Sequence, residues 1–506
     1  MARFFITTAI DYSNGDPHMG HAFEKVGADC IARYRRLRGD EVWFLIGMDE
    51  HGQKVAQTAT ERGLTPQQLV DEVAIAFQAA WAELRISYDQ FIRTTAPEHR
   101  AGVRDLIERI FARNPEDFYE KTYRGLYCVG CESFKTESDI VDGRCVLHPT
   151  RTLEEVEERN WFFRLSRYQR FLEDLLERNP DFVQPEIRRN EILGLLRQGL
   201  DDVSASRSRF SWGVPFPRPT SDGEAQTTYV WFDALPNYWT APRFPGSRAT
   251  WPAQLHVVGK DITRFHCVIW PAMLQAAGEA LPERVWAHGF IYYGTDRFSK
   301  SAGVKLELRD AITRHGPDAL RYFLLREVGF AADGTFSWER FDERYVADLA
   351  DGLGNLASRS LAMIEKYREG IVPAGDPGAL DAAGEEAVRD YQNAMERTDL
   401  RAGAEAAWRL VSAANQFIVS TAPWTLAKQE QTARLDAVLA ALARCLTRLA
   451  ILIEPFMPGK AAELWRHLGQ DAPLTGAWPQ ATAPEVLGRR VHKPDGLFPK
   501  PVPSSP

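Results

Sequence analysis

The chain has 506 residues, of which 44% are hydrophobic, and a formal net charge of −8 at pH 7. This length exceeds what one hydrophobic core usually serves, so two to four domains are expected. The acidic balance argues against nucleic-acid binding through bulk positive charge, although a local basic face would still permit it. Because no run of eighteen apolar residues occurs and the N-terminus lacks the apolar region of a signal peptide, the sequence predicts a cytoplasmic protein without a membrane span.

The first predicted unit is a strand, a turn and a helix. Phe4 to Thr8 is a short apolar and β-branched run, typical of a buried strand, and Asn14-Gly15 marks a turn. Apolar residues then recur at helical spacing from Phe23 to Leu37. The stretch His18-Met19-Gly20-His21 is therefore predicted to lie at the N-terminus of a helix.

A helix N-terminus with this composition favours phosphate, because unpaired N–H groups and the positive end of the helix dipole attract anions. The imidazoles of His18 and His21 lie on one side of the first turn and can both donate to phosphate oxygens. Gly20 lets a bulky ligand lie against the backbone. Taken alone, the pattern leaves an alternative open, since two histidines near a turn are often surface residues or hydrogen-bonded core groups.

A second apolar strand, Glu41 to Gly47, ends shortly before Asp49. In a parallel sheet Asp49 would lie at the carboxyl end of this strand beside the histidine turn, in the crevice where doubly wound folds bind ligands. A carboxylate there could hold a substrate ammonium group. The alternative role of Asp49 is the N-cap of the following helix.

Four arginines near the end of the first helix have the composition of a nucleic-acid patch: Arg33, Arg35, Arg36 and Arg38. A solvated helix face is the favoured interpretation of such a run. The arginines are therefore expected to be exposed and without a specific role.

The segment after Phe118 predicts a structural zinc site. Cys128-x-x-Cys131 is followed, after thirteen residues, by Cys145-x-x-His148. Two such pairs of soft ligands close a tetrahedral site and leave no position for water, so the metal would replace a hydrophobic core in this charged segment. Chance thiols are the alternative. Three other cysteines are isolated and fit a reducing compartment: Cys30, Cys267 and Cys445.

The middle of the chain predicts three more buried strands, over Arg159 to Phe163, Thr228 to Ala234 and Leu255 to Gly259. Phe210 to Ser221 is a Pro-rich connection between the first two. A helix with apolar residues from Phe265 to Met273 follows the third strand and carries His266. Taken one at a time, the aromatic residues of this region are best interpreted as core.

A glycine-bounded loop, Gly294 to Gly303, lies between the third of these strands and the helical part of the chain. Lys300 stands between the hydroxyls of Ser299 and Ser301. A cation flanked by hydroxyls suits a loop that closes over a polyphosphate.

Helical periodicity begins at about Phe341. An apolar stripe runs along the first helix, through Val346, Leu349, Leu353, Leu356, Leu361 and Ile364. Asp351, Asn355 and Arg359 stand four apart on a separate polar face. Further amphipathic helices are predicted at about 383–396, 400–421 and 433–467, which together make a bundle with a Pro-rich tail and no internal repeat.

The histidine turn and the Ser-Lys-Ser loop, in this order and at this large separation, resemble the two signatures of class I aminoacyl-tRNA synthetases. Four further stretches look like the methionyl-tRNA synthetase family: Ala9-Ile10-x-Tyr12, Gly47-x-Asp49-Glu50-His51-Gly52, Tyr229-Val230-Trp231-Phe232-Asp233-Ala234 and Gly259-Lys260-Asp261-Ile262-x-x-Phe265-His266. The position of the zinc insertion is similar too. The resemblance extends from about Phe4 to Pro499.

Two positions depart from the family pattern. The loop has Arg297-Phe298-Ser299-Lys300-Ser301 where the family usually has Lys-Met-Ser-Lys-Ser. Asp11 precedes Tyr12 where proline or an aromatic residue is more usual. These departures put the rate of catalysis in question, and with it whether the chain is a housekeeping enzyme or a specialised paralogue.

The resemblance implies an α/β fold: a Rossmann-type parallel-sheet catalytic domain, split by a zinc-bearing insertion and followed by an α-helical bundle. The implied catalytic halves are residues 1–117 and 229–290, with the connective insertion at 118–228 between them. A linking subdomain with the Ser-Lys-Ser loop would cover 291–344. The anticodon-binding bundle would cover 345–480, and the C-terminal tail 481–506.

The activity implied by the resemblance is ATP-dependent formation of methionyl adenylate from L-methionine, followed by transfer to the 3′ end of tRNA(Met). The implied cofactors are ATP, Mg²⁺ and a structural Zn²⁺. A monomer without a C-terminal dimerisation domain is expected.

The resemblance also carries site residues over to this sequence. The implied catalytic residues are His18, His21 and Lys300. The implied ATP-binding residues are Asn14, His18, Gly20, His21, Arg297, Ser299, Lys300 and Ser301. The implied methionine-binding residues are Ile10, Tyr12, Asp49, Trp231, Ala234, Leu235, Tyr238, Ile262, Phe265 and His266. The implied anticodon-binding residues are Asp351, Asn355, Arg359, Pro423 and Trp424. The implied zinc ligands are Cys128, Cys131, Cys145 and His148.

Three rival hypotheses are weaker. A small nucleotidyltransferase shares the His-x-Gly-His turn but has no use for the zinc insertion, the Ser-Lys-Ser loop or the bundle. A synthetase for isoleucine, valine or leucine would need a large editing insertion, and residues 118–228 are too few for one. A non-catalytic tRNA-binding paralogue would be expected to lack Asp49, His21 or Lys300, and all three are present.

Overall fold

The computed structural model describes residues 2–128, 133–135, 139–146, 148–293, 296–297 and 307–500. Its first section alternates strands and helices. In chain order these are β1 Arg3–Thr8, β2 Asp11–Tyr12, α1 Met19–Leu37, β3 Glu41–Asp49, α2 Gln53–Glu61, α3 Pro66–Glu83, β4 Gln90–Arg93 and α4 Pro97–Arg113. The predicted strand, turn and helix at the N-terminus are confirmed, and so is the second strand, which extends two residues further to include Asp49.

The next section is built on a long antiparallel hairpin with two helices beside it. Its elements are β5 Phe118–Cys128, β6 Ser133–Phe134, β7 Ile140–Val141, β8 Arg144–Cys145, β9 His148–Thr152, β10 Glu154–Phe163, α5 Gln169–Arg178, β11 Val183–Gln184, α6 Glu186–Arg197, β12 Val203–Ser204, β13 Ser206–Arg207 and β14 Thr227–Thr228. β5 and β10 pair along their whole length, from Phe163 opposite Phe118 to Glu154 opposite Tyr127. The strand predicted over Arg159 to Phe163 is therefore confirmed as the end of a longer one.

The chain then returns to the first section. The elements are α7 Val230–Ala234, α8 Asn237–Thr240, β15 Leu255–Gly259, α9 Trp270–Ala277, β16 Val285–His288, β17 Ile291–Tyr293, β18 Asp296–Arg297, α10 Leu308–His315, α11 Pro317–Phe323, β19 Gly334–Phe336 and α12 Trp338–Arg344. The predicted strand Leu255 to Gly259 and the helix carrying His266 are confirmed, the latter beginning as a π-helical turn at Phe265–Ile269.

The strand predicted over Thr228 to Ala234 is wrong, because this stretch forms the short helix α7 after a two-residue strand. Aromatic and β-branched residues suggest a buried strand, yet tertiary packing overrides such propensities. The helix buries Phe232 and Asp233 on one side and leaves Trp231 half-buried on the other. A short buried helix and a buried strand have the same apolar composition, so composition alone did not distinguish them.

Within the described residues, seven strands form one parallel sheet in the order β11-β16-β15-β1-β3-β2, with β4 also paired to β3. The two distant sections of the chain meet at β1 and β15, where Ile6 lies opposite Leu255. Helices cover both faces, as parallel strands require. The carboxyl ends of β1, β3, β15 and β16 therefore share one edge, which makes the crevice typical of a doubly wound Rossmann-type fold.

The last section is helical. A π-helical segment, Tyr345–Gly354, leads into α13 Asn355–Arg368, which is followed by α14 Ala379–Glu396, α15 Leu400–Thr421, α16 Pro423–Lys428, α17 Thr432–Ile453, α18 Pro458–His467 and α19 Trp478–Thr482. The predicted bundle is confirmed. The single helix expected over 433–467 is wrong, because Pro455 and Pro458 interrupt it and proline cannot continue a helix interior.

The tail returns to the bundle. Val491 N–H donates to Gly370 O at 2.7 Å, Phe498 is buried, and the hydroxyl of Tyr345 donates to Pro499 O at 2.8 Å. Of the described helices, none is both long and apolar enough to cross a membrane.

Helix α1 joins the sheet to the bundle through buried ion pairs. Arg33 bonds Glu454 at 2.8 Å and Asp29 at 2.7 Å. Arg321 is fully buried, bonds Asp29 at 2.7 Å and donates to Pro455 O at 2.8 Å. Burial opposes ionisation of Asp29, but Arg33 and Arg321 outweigh it and lower the Asp29 pKa to about 2.

The arginine-rich end of α1 is therefore neither a solvated face nor a nucleic-acid patch. Arg33 is engaged as described, Arg35 and Arg38 reach Glu396 of α14, and Arg36 bonds Asp89 at 2.7 Å. Three of the partners, Asp89, Glu396 and Glu454, come from segments remote in sequence, which is why helical periodicity alone suggested an exposed face.

Candidate active site

The histidine turn begins α1 with a reciprocal cap. His18 is the N-cap residue, with extended backbone, and its Nδ1 accepts the N–H of Gly20 at 3.1 Å. The Nδ1 of His21 accepts the N–H of His18 at 3.3 Å, and the two rings stack with centroids 3.7 Å apart. Because both Nδ1 atoms accept, each neutral ring carries its proton on Nε2. The turn therefore presents two imidazole donors at the positive end of a helix dipole.

Gly20 allows this arrangement. A Cβ at this position would lie 3.0 Å from Cε1 and 3.2 Å from Nδ1 of His18. Any side chain would therefore press on the ring that caps the helix. The predicted role of Gly20 in ligand approach is accompanied by a second role, in placing His18.

A cavity of about 370 Å³ opens at the carboxyl edge of the sheet beside this turn. Eight of the predicted site residues line it: Ile10, Tyr12, His18, Gly20, His21, Asp49, Trp231 and Ile262. Several lining residues were not predicted to belong to the site: Asp11, Glu24, Lys54, Gly259, Asp261 and His288. This volume falls in the range of small-ligand pockets, and its walls combine apolar rings with a few polar groups.

Other predicted residues lie behind the cavity wall. Phe265 stacks on Trp231 with ring centroids 3.7 Å apart. Ala234 and Leu235 are buried, with exposed fractions of 5% and 1%. Tyr238 and His266 are buried and hydrogen-bonded to each other. Asn14 lies in the turn after β2, where its backbone N–H donates to Tyr12 O at 2.9 Å. Of the predicted nucleotide loop, Ser299, Lys300 and Ser301 lie outside the described residues, and Arg297 is described only as part of β18.

The Tyr238–His266 pair has a fixed proton arrangement. His266 Nδ1 lies 3.0 Å from Ile262 O, and its Nε2 lies 2.7 Å from the hydroxyl oxygen of Tyr238. Burial lowers the His266 pKa to about 4, so the ring is neutral at pH 7. The proton must then be on Nδ1, where the partner is a carbonyl, and Tyr238 donates to Nε2.

Asp49 ends β3 beside the cavity, with Tyr12 opposite it in the parallel register. Its carbonyl accepts the N–H of Ser13 at 2.9 Å. The alternative role of Asp49 as an N-cap is excluded, because the N-cap of α2 is Gly52. The carboxylate is therefore held at the crevice and is not used to begin a helix.

A buried carboxylate lies behind the same wall. Asp233 Oδ2 is 2.7 Å from His51 Nδ1, and its Oδ1 is 3.1 Å from His99 Nε2. Burial opposes the charge of Asp233, but the two histidines outweigh it and hold the Asp233 pKa well below its usual range. Asp233 is therefore an anion with one imidazole on each oxygen.

The opposite side of the cavity has a second buried charge cluster, which sequence reasoning missed. Lys25 Nζ bonds Asp11 Oδ1 at 2.9 Å, Glu24 Oε1 at 2.7 Å and Ala9 O at 2.9 Å. His288 Nε2 lies 3.1 Å from the other Glu24 oxygen. Burial disfavours ionisation of both carboxyls. At Glu24 the charges of Lys25 and His288 outweigh burial, and the Glu24 pKa is lowered. At Asp11 burial outweighs Lys25, and the Asp11 pKa is raised to about 7.

The signal for this cluster was present in the sequence. Glu24 and Lys25 interrupt the apolar stripe of α1, and Asp11 is one of the two places where the sequence departs from the family pattern. What the sequence lacked was the pairing, because the residues come from the strand β2 and the helix α1.

The predicted zinc residues lie at the tip of the β5–β10 hairpin. Cys128 ends β5, Cys145 ends β8, and Cys145 lies opposite His148 at the start of β9. Both thiols are buried, and β9 lies against β5. Cys131 lies outside the described residues. The thiols of Cys128 and Cys145 have the donor chemistry of a zinc knuckle, but no group of three or more possible metal ligands occurs within the described residues.

The polar face predicted on the first bundle helix lines an open groove of about 660 Å³ between the Tyr345–Gly354 segment, α13 and α15. Asp351, Asn355 and Arg359 all face it. Trp424 is 42% exposed on α16, and Pro423 begins that helix. These two residues are not among those that line the groove. Asp351 also bonds Lys500 of the tail at 2.6 Å.

Comparison with known proteins decides the family. Residues 4–151 and 137–361 match the family model described as tRNA synthetases class I (M), and residues 372–502 match the anticodon binding domain of methionyl tRNA ligase. The chain belongs to the methionyl family of class I tRNA synthetases.

Relatives and solved structures of the methionyl-tRNA synthetase family agree over almost the whole chain. A methionine–tRNA ligase from Caldanaerobacter subterraneus is 42% identical, over 98% of this chain and 78% of its own length. One from Thermosynechococcus vestitus is 40% identical, over 96% of this chain and 93% of its own. The Mycobacterium tuberculosis synthetase in complex with methionyl-adenylate superposes with a TM-score of 0.92 at 38% identity, covering 99% of this chain and 100% of that one.

Proposed function

We propose that this chain is a methionine–tRNA ligase, which activates L-methionine with ATP to methionyl adenylate and transfers the methionyl group to the 3′ end of tRNA(Met). The observation that carries the proposal is the cavity itself. It combines a helix N-terminus with two imidazole donors and an apolar wall of stacked aromatic rings. The first suits a triphosphate and the second a thioether side chain.

In the activation step the methionine carboxylate attacks the α-phosphate in line. The new bond joins a carboxylate oxygen to phosphorus as the bond to pyrophosphate breaks, and negative charge grows on the departing group. Catalysis is then mostly positioning and charge stabilisation. The Nε2–H groups of His18 and His21 would donate to the phosphates, with Lys300 and Arg297 closing from the nucleotide loop. Mg²⁺ on the phosphates would neutralise further charge.

The predicted methionine-binding residues are proposed to have two kinds of role. Ile10, Tyr12, Trp231 and Ile262 line the cavity and would contact the substrate, and Asp49 would hold its ammonium group. Tyr238, Phe265 and His266 support that wall from behind. Because Tyr238 already donates to His266, recognition of the sulfur would rest on packing against polarisable rings.

Two further parts of the proposal concern the tRNA and the metal. Asn355, Arg359 and Trp424 offer hydrogen bonds and a stacking surface that suit unstacked anticodon bases. Cys128, Cys131, Cys145 and His148 would hold a zinc ion that stabilises the hairpin tip and takes no part in the reaction. The domain boundaries, the monomeric state and the cytoplasmic location stay predictions.

The proposal is tested by ATP–pyrophosphate exchange on purified protein. Exchange should depend on methionine, and Lys300→Ala should lower its rate by roughly a hundredfold while methionine binding barely changes. Exchange that occurs equally without methionine, or with another amino acid, would contradict the assignment.

The tRNA role is tested separately. Base–aromatic stacking is worth roughly 1–3 kcal/mol, so Trp424→Ala should slow tRNA charging by about tenfold. Exchange requires no tRNA and should stay near the wild-type rate. If both reactions fall together, Trp424 is a packing residue and its anticodon role is withdrawn.

A further inference from the structure

The Asp233 carboxylate connects three separate elements behind the cavity. It lies in α7, His51 follows β3, and His99 lies in α4. The side chain of Asp233 is fully buried, and His51 and His99 are at most 2% exposed. His99 is fixed further by Thr240, whose Oγ1 lies 2.9 Å from His99 Nδ1.

Two of the three elements supply residues to the wall of the cavity. Asp49 is two residues before His51, and Trp231 is two residues before Asp233. Both Asp49 and Trp231 line the cavity, whereas His51 and Asp233 do not. The His51–Asp233 bond therefore joins the wall that carries the carboxylate to the wall that carries the indole.

The segment that carries His51 is held from its other side as well. Glu50 is buried and bonds Arg93 at 2.5 Å and the hydroxyl of Thr95. Trp212 donates its indole N–H to Glu50 O at 2.7 Å, and its backbone carbonyl accepts the N–H of Gly52 at 3.2 Å. These contacts fix the segment to β4 and to the connection before β14, but they do not reach α7.

We propose that Asp233, acting through His51, is a positioning residue for methionine: it sets the distance between Asp49 and the Trp231–Phe265 stack. This inference rests on the function proposed above. The bond is short and charge-assisted, and it joins α7 directly to the segment that carries Asp49. A pocket whose walls shift by about 1 Å loses much of its affinity for the substrate. The His51–Asp233 bond therefore governs methionine binding although neither residue touches the substrate.

The test places two amide side chains of different length at position 51. Asn places its Nδ2 near the position of His51 Nδ1 and can still donate to Asp233, whereas Gln places its Nε2 near the far ring nitrogen and cannot. In methionine-dependent exchange, His51→Gln should raise the KM for methionine by about tenfold and leave the KM for ATP within about twofold. His51→Asn should stay within about threefold of wild type for both substrates.

The matched control is His99→Asn. It removes a bond to the same carboxylate from an element that contributes no residue to the cavity, so it should lower the melting temperature while leaving the KM for methionine within about twofold. Equal KM changes in His51→Gln and His99→Asn, or KM values for methionine and ATP that rise together, would overturn the positioning role. Should His51→Gln fail to fold, a wild-type KM for methionine in Asp233→Leu, which offers His51 no acceptor, would overturn it equally.

The wild-type measurement separates the two levels of the argument. If the wild-type protein shows no methionine-dependent exchange, the proposed function fails and the positioning role falls with it. If the wild type is active but His51→Gln binds methionine normally, only the positioning role is lost.

Discussion

Asp11 and Asp233 are two buried carboxyls beside the same cavity, and their pKa values move in opposite directions. Asp233 has an imidazole on each oxygen, and its pKa is held well below the usual range. Asp11 shares Lys25 with Glu24 and with a backbone carbonyl, and its second oxygen has no hydrogen-bond partner among the described residues. Burial raises the Asp11 pKa to about 7.

The difference shows that partners, more than burial, decide whether a buried carboxyl is charged. Burial disfavours the charged form of both carboxyls, and of the two only Asp233 has a described hydrogen-bond partner on each oxygen. At neutral pH the wall behind the aromatic stack therefore has a fixed charge, whereas the side near the histidine turn has a charge that can change.

The largest effect is expected from removing the shared cation. Lys25→Met would leave Glu24 and Asp11 buried without their ammonium partner, and breaking a buried pair in this way costs about 3–5 kcal/mol in the free energy of unfolding. Denaturant titration followed by tryptophan fluorescence measures it. Lys366→Met, at an exposed lysine of α13, is the control and should cost less than about 0.5 kcal/mol. A similar loss in both variants would mean that Lys25 does not hold the cluster.

A somewhat smaller effect is expected at the other carboxyl. Asp233→Asn keeps the shape but removes a charge that two histidines solvate, so the free energy of unfolding at pH 7 should fall by about 2–3 kcal/mol. The effect should shrink on acidification, because the folded pKa of Asp233 is lower than its unfolded pKa. The carboxylate then stabilises the protein above the unfolded pKa, and this contribution is lost as the pH falls toward the folded pKa. Stability of the variant equal to wild type at pH 7 would refute the charge assignment.

The smallest effect, with the opposite pH dependence, is expected at Asp11. Its folded pKa is raised from 3.8 to about 7, so its favourable contribution is complete below about pH 4 and is lost as the pH rises toward 7. Between pH 6 and 7, wild type should lose about 1 kcal/mol of stability relative to Asp11→Asn. Parallel stability curves for the two proteins would show that Asp11 is ionised throughout and that the contrast with Asp233 does not exist.

Much of the fold and part of the site were predictable from sequence. The histidine turn, the position of Asp49 at the end of β3 and the polar face of Asp351, Asn355 and Arg359 are local patterns, because strand and helix periods fix which residues share an edge or a face. Of the ten residues predicted to bind methionine, five line the cavity and five do not, and their role in binding stays a prediction.

What could not be predicted depends on contacts between distant segments. The Lys25 cluster and the His51–Asp233–His99 group each join residues from separate elements, and no periodicity reports such pairs. The helix α7 was mistaken for a strand because its aromatic composition suits both. The arginines of α1 were expected to be solvated because their acidic partners, such as Glu396 and Glu454, lie hundreds of residues later.

Helix α1 has a consequence for how this sequence can vary. Its 19 residues span about 28 Å, with the capping histidines at one end and the Arg33–Glu454 bond near the other. Inserting or deleting one residue between Ala22 and Asp29 would rotate the two ends by about 100° relative to each other, so either His18 and His21 or the bundle contact would lose its alignment. A change of length in this stretch would therefore break one of the two contacts, whichever residue is added or removed.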